Sequence, residues 1–314
     1  MIDGGTGILE LQVVALRQES DCVLSVELAD PDGRLLPAWE PGAHIDLGLP
    51  DHIRQYSLIG DPEERRCYRI AVLREPDSSG GSRYVHTELR PGELVEVGGP
   101  RNNFPLIEAN KYLMIAGGIG VTPLLPMIRR LHAEDADWRL LYGGRSRVSM
   151  AFLEGLTAYG DRVEIRPFDE EGHLDLDGAL GSPIEGQAVY CCGPEALIAA
   201  VEERCTTWPS GTLHVERFAA GPRGDEADLK AFELVLARSG RRLVVPAGSS
   251  ALDVLDAAGV SLPNACRDGV CGSCETPVLS GRPLHRDALT DSDRTDIVFP
   301  CVSRAHGPEL VLDL

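Results

Sequence analysis

The chain has 314 residues, 43% of them hydrophobic and 25% charged, the balance of an ordinary globular protein with length for two or three domains. Its formal net charge of −19 argues against nucleic-acid binding through phosphates, and no run approaches the ~18 apolar residues that a membrane-spanning helix needs. Met1-Ile2-Asp3-Gly4-Gly5 shows no basic stretch followed by an apolar one, so no signal peptide is expected; nine cysteines then suggest a reducing, cytoplasmic setting and metal ligation before disulfides.

Residues 8–106 read as an all-β domain. Leu9–Val14, Val23–Leu28 and Tyr68–Leu73 alternate with the strand period of two. Pro31-Asp32-Gly33, Pro41-Gly42, Pro91-Gly92 and Gly98-Gly99-Pro100 separate such segments as turns, which predicts a small antiparallel barrel. Within it, Arg54-Gln55-Tyr56-Ser57 puts a guanidinium and a phenol ring on one strand face. The pair suits a phosphate and a flat ring system, although an ordinary strand reads the same way. Ser78-Ser79-Gly80-Gly81-Ser82 runs into a helix start at Arg83–His86. It reads as a phosphate cradle or, equally, as a surface loop.

From residue 107 to about 218 strands and helices alternate, the pattern of a parallel sheet with crossovers. Tyr112–Ala116 is a near-continuous apolar strand, followed by Gly117-Gly118-Ile119-Gly120-Val121-Thr122-Pro123 and a helix over 124–131. Thr122 is the expected N-cap and Pro123 the first helical residue. Strand, glycine turn and helix in this order make a site for a pyrophosphate. Further strands are predicted at 139–142, 163–165 and 188–191. The first of these runs into Gly143-Gly144-Arg145-Ser146-Arg147, the last into Cys192-Gly193-Pro194 and a helix over 196–205. Cys192 reads either as a small core residue or as a neighbour of a bound nicotinamide.

Residues 219–228 form a polar linker, after which 232–237 and 243–245 read as a hairpin and 250–258 as a helix capped by Ser250. Then comes Asn264-Ala-Cys266-Arg-Asp-Gly269-Val-Cys271-Gly272-Ser-Cys274, and a further 26 residues separate Cys274 from Cys301. C-x4-C-x2-C with a distant fourth cysteine is the plant-type [2Fe–2S] spacing. Gly269 and Gly272 let the backbone turn tightly enough to aim N–H groups at sulfur. A structural zinc site is the alternative, but zinc sites favour two C-x2-C pairs and only one is present. From Leu229 onward 11 acidic residues nearly balance 9 basic ones, so most of the negative charge lies earlier.

With these pieces in order the chain resembles the phthalate dioxygenase reductase and vanillate O-demethylase reductase family over essentially its whole length. The resemblance implies three domains: an FMN-binding antiparallel β-barrel (1–106), an NADH-binding α/β parallel-sheet domain (107–222) and an α+β, β-grasp plant-type ferredoxin domain (229–314). It implies flavin contacts at Arg54, Gln55, Tyr56, Ser57, Val72, Gly80, Gly81 and Ser82. Nicotinamide-nucleotide contacts are implied at Gly117, Gly118, Gly120, Val121, Thr122, Pro123, Arg145, Cys192, Gly193 and Pro194. Glu216-Arg217-Phe218 is similar to the segment that places an aromatic ring, here Phe218, by the flavin. Cys266, Cys271, Cys274 and Cys301 become the cluster ligands. The implied activity is electron transfer from NADH through FMN and the cluster to a Rieske-type mononuclear iron oxygenase, with a cytochrome P450 as the alternative acceptor. No side chain need act as acid or base, and the expected carrier is a monomer. Arg145 or Arg147 would equally meet a 2′-phosphate, which leaves NADPH open. A zinc-stabilised dinucleotide-binding protein without turnover is the reading from a different class. His285-Arg286-Asp287, between the third and fourth ligands, is a candidate for the partner-docking face.

Overall fold

In the first 106 residues the alternation seen in the sequence becomes strands β1 (Leu9–Ser20), β2 (Val23–Ala29), β3 (Ala43–Leu49), β4 (His52–Ser57), β5 (Tyr68–Leu73) and β6 (Leu94–Asn102). Helix α1 (Gly81–Thr87) lies between β5 and β6. The computed structural model describes residues 7–50, 52–75, 80–218, 229–290 and 294–314; Ser78, Ser79 and the 219–228 linker fall outside them. The six strands form one sheet in the order β4-β3-β6-β1-β2-β5, antiparallel throughout. Register shifts in β1 and at the β3–β6 pairing bend the sheet, and a bridge between Leu58 and Ile70 links its two edges into a barrel. Leu11, Val13, Val26, Leu28, Ile45, Leu47, Ile70 and Val97 point inward and are fully buried. Each such aliphatic side chain contributes on the order of 1.5–3 kcal/mol by leaving water.

The next strands are β7 (Lys111–Gly117), β8 (Asp137–Gly144), β9 (Val163–Pro167), β10 (Gln187–Cys192) and β11 (Leu213–Glu216). Helices α2 (Leu124–Ala133), α3 (Leu153–Thr157), α4 (Phe168–Glu171), α5 (Leu176–Leu180) and α6 (Glu195–Cys205) connect them. All pairings are parallel, in the order β11-β10-β7-β8-β9. The chain therefore winds outward from β7 to β9 and then returns to lay β10 on the other side of β7. That reversal opens a crevice at the carboxyl ends of β7 and β10, where open α/β sheets bind ligands. α5 and α6 cover one face of the sheet. The core on the α2 side also takes in Val23, Ile59, Ala71 and Phe104 from the barrel, so the chain through Glu216 is one compact unit.

Arg217–Leu314 is a second unit. Its strands are β12 (Phe232–Leu236), β13 (Arg241–Val245), β14 (Thr276–Ser280), β15 (Pro283–Leu284), β16 (Ile297–Val298), β17 (Arg304–Ala305) and β18 (Glu309–Leu312), with helix α7 (Ala251–Ala257). The main sheet runs β13-β12-β18-β14-β16, with β12 and β18 parallel and the other pairs antiparallel. Ser250 caps α7 as expected: its hydroxyl accepts from the Asp253 N–H at 3.0 Å while the Asp253 carboxylate accepts from the Ser250 N–H. α7 buries Ala251 and Leu255 against Phe232, Leu234 and Leu312. Among the described residues no helix is long and apolar enough to cross a membrane.

Candidate functional site

At the crevice the Gly117–Pro123 turn and the Cys192-Gly193-Pro194 turn meet backbone to backbone. A Cβ on Gly120 would lie 2.3 Å from the Cys192 carbonyl oxygen, one on Gly117 2.6 Å from Pro194, and one on Gly193 2.9 Å from the Gly117 Cα. Glycine is required at these positions by close approach. Gly118, at φ +54, begins a 3-10 turn through Val121. The expected N-cap differs. α2 starts at Leu124 after Pro123, and the buried Thr122 hydroxyl donates back to the Ile119 carbonyl at 2.8 Å and caps no helical N–H. The intervening 3-10 turn satisfies Thr122 locally, an alternative that short hydroxyl side chains often take.

Cys192 is fully buried, and burial, seconded by Glu216, pushes its thiol well up. Glu216 is its register partner on β11. Burial raises the Glu216 carboxyl to about 8, and its Oε2 has no hydrogen-bond partner among the described residues. A half-buried carboxyl with one oxygen shut off from water and unpartnered, at the ligand edge of a sheet, is a common mark of a functional position. Sequence reasoning noted Glu216 only as part of a tripeptide. Phe218, two residues beyond β11, is 44% exposed. Arg145 and Arg147 follow β8, on the same edge of the sheet. The Arg147 guanidinium donates to both Glu170 oxygens, at 2.7–3.2 Å, and the Asp169 N–H donates to the Arg145 carbonyl.

On the barrel, Arg54 and Tyr56 share a face of β4, opposite Leu47 and Ile45 of β3. The Arg54 stem packs against Gly81, where a Cβ would come within 2.9 Å of Cγ. Tyr56 lies against the barrel core, and burial raises its phenol to about 12. Gln55 points the other way and donates to Asp46 at 2.9 Å. α1 is pinned at both ends: the Ser82 hydroxyl accepts from the Glu75 N–H, and the His86 ring meets the Val72 carbonyl at 2.9 Å. The Val72 side chain itself lies in the barrel core. Ser57, His44 and Arg101 are cross-strand neighbours on β4, β3 and β6. Ser57 Oγ, His44 Nε2 and Arg101 Nε are all buried without partners among the described residues. Three orphaned polar atoms beside an Arg-x-Tyr strand fit a flat heterocycle edged with nitrogens and carbonyls. His44 and Arg101 were invisible to motif reading, because only the strand register brings them to Ser57.

In the second unit the four spaced cysteines come together as two pairs. Cys274 and Cys301 have their sulfurs 3.3 Å apart, and Cys266 and Cys271 are hydrogen-bonded. Within each pair one thiol serves the other. The bond from Cys266, helped by Ser273, lowers Cys271 and leaves Cys266 raised; Cys301 likewise lowers Cys274 and is itself raised. Two pairs suit two bridged irons. Each iron of a plant-type cluster takes two thiolates, which matches the two pairs. Backbone N–H groups of Asp268 and Ser273 reach the sulfurs of Cys266 and Cys271 at 3.2 and 3.4 Å, with Gly269 and Gly272 left-handed at φ +72 and +77. Arg267 is also left-handed, at φ +56, and is held there by Asp253 and Asp256 of α7. His285 and Asp287 turn inward, with side chains 4% and 0% exposed, so they form no part of a docking face.

A barrel and a parallel sheet in one unit, followed by a cysteine-paired ferredoxin fold, define an oxidoreductase of the ferredoxin-reductase class. The family model of the 2Fe-2S iron-sulfur cluster binding domain matches residues 234–306, which include all four cysteines. The chain is 43% identical to phenoxybenzoate dioxygenase subunit beta of Ectopseudomonas oleovorans, over 98% of its length and 97% of the relative's. It is 39% identical to the phthalate dioxygenase reductase of Burkholderia cepacia, over 98% of both chains. Against a solved phthalate dioxygenase reductase, a modular structure for electron transfer from pyridine nucleotides to [2Fe-2S], the TM-score is 0.73 at 39% identity, with 98% of both chains covered. Against an intact type IV self-sufficient cytochrome P450 monooxygenase it is 0.92 at 40% identity, over 98% of this chain but only 41% of that one. The chain belongs to the phthalate dioxygenase reductase and vanillate O-demethylase reductase family.

Proposed function

We propose that this reductase carries electrons from NADH through FMN and a [2Fe–2S] cluster to a Rieske-type mononuclear iron oxygenase. The observation that carries the reading is the presence, in one unit, of both the glycine-packed crevice at Cys192 and Glu216 and the orphaned polar set at Ser57. The paired cysteines of the second unit supply the one-electron terminus. The working domains are residues 1–106 for FMN, 107–222 for NADH and 229–314 for the cluster. FMN, when bound, supplies the conversion of a two-electron hydride into single electrons, which neither NADH nor a cluster performs alone.

The chain's own residues bind and orient. Arg54 with Gly80, Gly81 and Ser82 would hold the flavin phosphate, Tyr56 would lie along the ring and Ser57 would face its polar edge, while Gln55, engaged by Asp46, would reach the flavin through its backbone alone. The Gly117–Pro123 turn would take the dinucleotide pyrophosphate, and Cys192, Gly193 and Pro194 would bound the nicotinamide, with Phe218 the aromatic neighbour of the flavin. Arg145 would reach the adenosine half. Glu170 engages Arg147 and puts an acidic turn beside it, which favours NADH over a nucleotide bearing a 2′-phosphate. Cys266, Cys271, Cys274 and Cys301 would ligate the irons. We take the protein to act as a cytoplasmic monomer without nucleic-acid or membrane partners.

Delivery to a haem oxygenase is the second reading, favoured by the likeness to the P450 fusion. An anaerobic NADH titration tests the core of the proposal: both flavin and cluster bands bleach, and a colourless or unresponsive protein would refute it. Turnover with a Rieske oxygenase against turnover with a P450 then separates the two acceptors.

A further inference from the structure

The ligand set is split between two segments, and something must hold Cys301 against Cys274 across the 26 residues between them. The Asp287 side chain, 0% exposed, sits between those segments. Its Oδ1 accepts from the Leu289 N–H at 3.1 Å, and its Oδ2 accepts from the Ser303 hydroxyl at 3.1 Å. Ser303 lies two residues past Cys301. On the other side, the Ala288 N–H donates to the Gly269 carbonyl at 2.9 Å, in the loop between Cys266 and Cys271. Gly269 admits no side chain: a Cβ there would lie 2.5 Å from Val302 and 3.0 Å from the Asp287 Cα. His285 packs beside Asp287, its Nδ1 3.4 Å from Oδ2 without a hydrogen bond and its Nε2 2.7 Å from the Arg294 carbonyl. That carbonyl can only accept, so Nε2 carries the proton and the ring anchors the far side of the excursion. A carboxylate withdrawn from water costs several kcal/mol unless its lone pairs are engaged; here Ser303 engages one oxygen beside Cys301, Leu289 engages the other, and the adjacent Ala288 N–H holds the Gly269 loop.

We propose that Asp287 is a positioning residue that ties the Cys266–Cys274 loop to the Cys301 segment, and that its carboxylate biases the cluster towards the oxidised state. The inference rests on the reading that the four cysteines hold the cluster. Asp287 touches none of them in the contacts described. It acts through Ser303 and, by fixing the turn that presents the Ala288 N–H, on Gly269, and its negative charge opposes the electron that reduction adds.

The test uses the full-length protein carrying its flavin and cluster. Decay of the cluster absorbance in a chelator is followed for the wild type, Asp287→Ala, Asp287→Asn, Ser303→Ala and, as a distant control of like chemistry, Asp313→Asn. Iron, sulfide and flavin contents are measured alongside. Asp287→Ala should lose its cluster at least tenfold faster than wild type, Ser303→Ala should fall between, and Asp313→Asn should match wild type. In Asp287→Asn the midpoint potential should rise by the equivalent of about tenfold in the reduction equilibrium, ~59 mV for a one-electron couple. A merely structural residue would leave that potential unmoved. If Asp287→Ala is isolated without a cluster but with full flavin and native circular dichroism, that is the expected loss at its extreme, and Ser303→Ala must then decay faster than wild type. Wild-type decay in Ser303→Ala and Asp287→Ala, or an unshifted potential in a loaded Asp287→Asn, overturns the inference. A wild-type protein without iron refutes the ligand reading instead.

Discussion

Glu216→Gln removes a titrating carboxyl and keeps its shape. In the fold burial raises this group from 4.5 to about 8, so the folded chain holds a proton that the unfolded chain releases above pH 4.5. The sign follows: the burial penalty is absent below pH 4.5, grows as pH rises through the window, and levels off above about 8. At about 1.4 kcal/mol for each pH unit between the two values, the wild type should lose roughly 3–4 kcal/mol relative to Glu216→Gln between pH 5 and pH 8. The neighbouring Cys192 thiol is itself pushed up and stays neutral over that range, so it does not mask the effect. All three tryptophans, Trp39, Trp138 and Trp208, lie in the first unit, so intrinsic fluorescence reports the unfolding of the unit that contains Glu216. Urea midpoints measured by that signal at several pH values, without nucleotide, should diverge between the two proteins as pH rises. Parallel profiles would refute the claim that this carboxyl is held protonated by burial.

Gly120→Ala should lower the stability of the first unit by about 1–3 kcal/mol, because a Cβ 2.3 Å from the Cys192 carbonyl meets backbone that cannot turn aside. It should also abolish NADH-driven flavin reduction; a wild-type urea midpoint would mean the two turns are not packed together. Glu170→Gln releases Arg147 and should lower the KM for NADPH about tenfold, the worth of roughly one charge-assisted contact, while kcat with NADH stays put. An unchanged preference would show that discrimination lies elsewhere. Cys271→Ser should abolish reduction of a one-electron protein acceptor such as cytochrome c while sparing direct transfer from flavin to a small dye. Equal loss of both, with the fold intact by circular dichroism, would contradict the order of carriers.

What the sequence made legible was local. The strand period announced β1, β2 and β5, and the glycine run after an apolar strand announced the turn at the crevice, since both depend on neighbours a few residues apart. The spacing from Cys266 to Cys274 and the Ser250 cap are local in the same sense. Thr122 shows the limit of such reasoning. The residue type suited an N-cap, but whether the chain enters α2 directly or through a 3-10 turn is decided by how closely Gly120 must approach Cys192.

The unread part consists of residues that matter because of distant partners. Glu216 becomes a buried acid because β11 lies parallel to β10 and sets it opposite Cys192; nothing within its own segment distinguishes it from an exposed strand residue. His44 and Arg101 gather at Ser57 through a three-strand register spanning more than 50 positions. The short strands after Cys274 escaped detection for a related reason: two-residue pairings such as β15 with β17 carry no periodicity, and the small sheet's neighbours hold them. His285-Arg286-Asp287 reads from composition as a charged surface. Its inward turn follows from donors at Ser303 and Leu289 that only the folded excursion supplies. Here, as at Glu216, the polar group that sequence composition assigns to solvent is the one that the fold withdraws from it, at a cost that a purely structural loop would have no reason to bear.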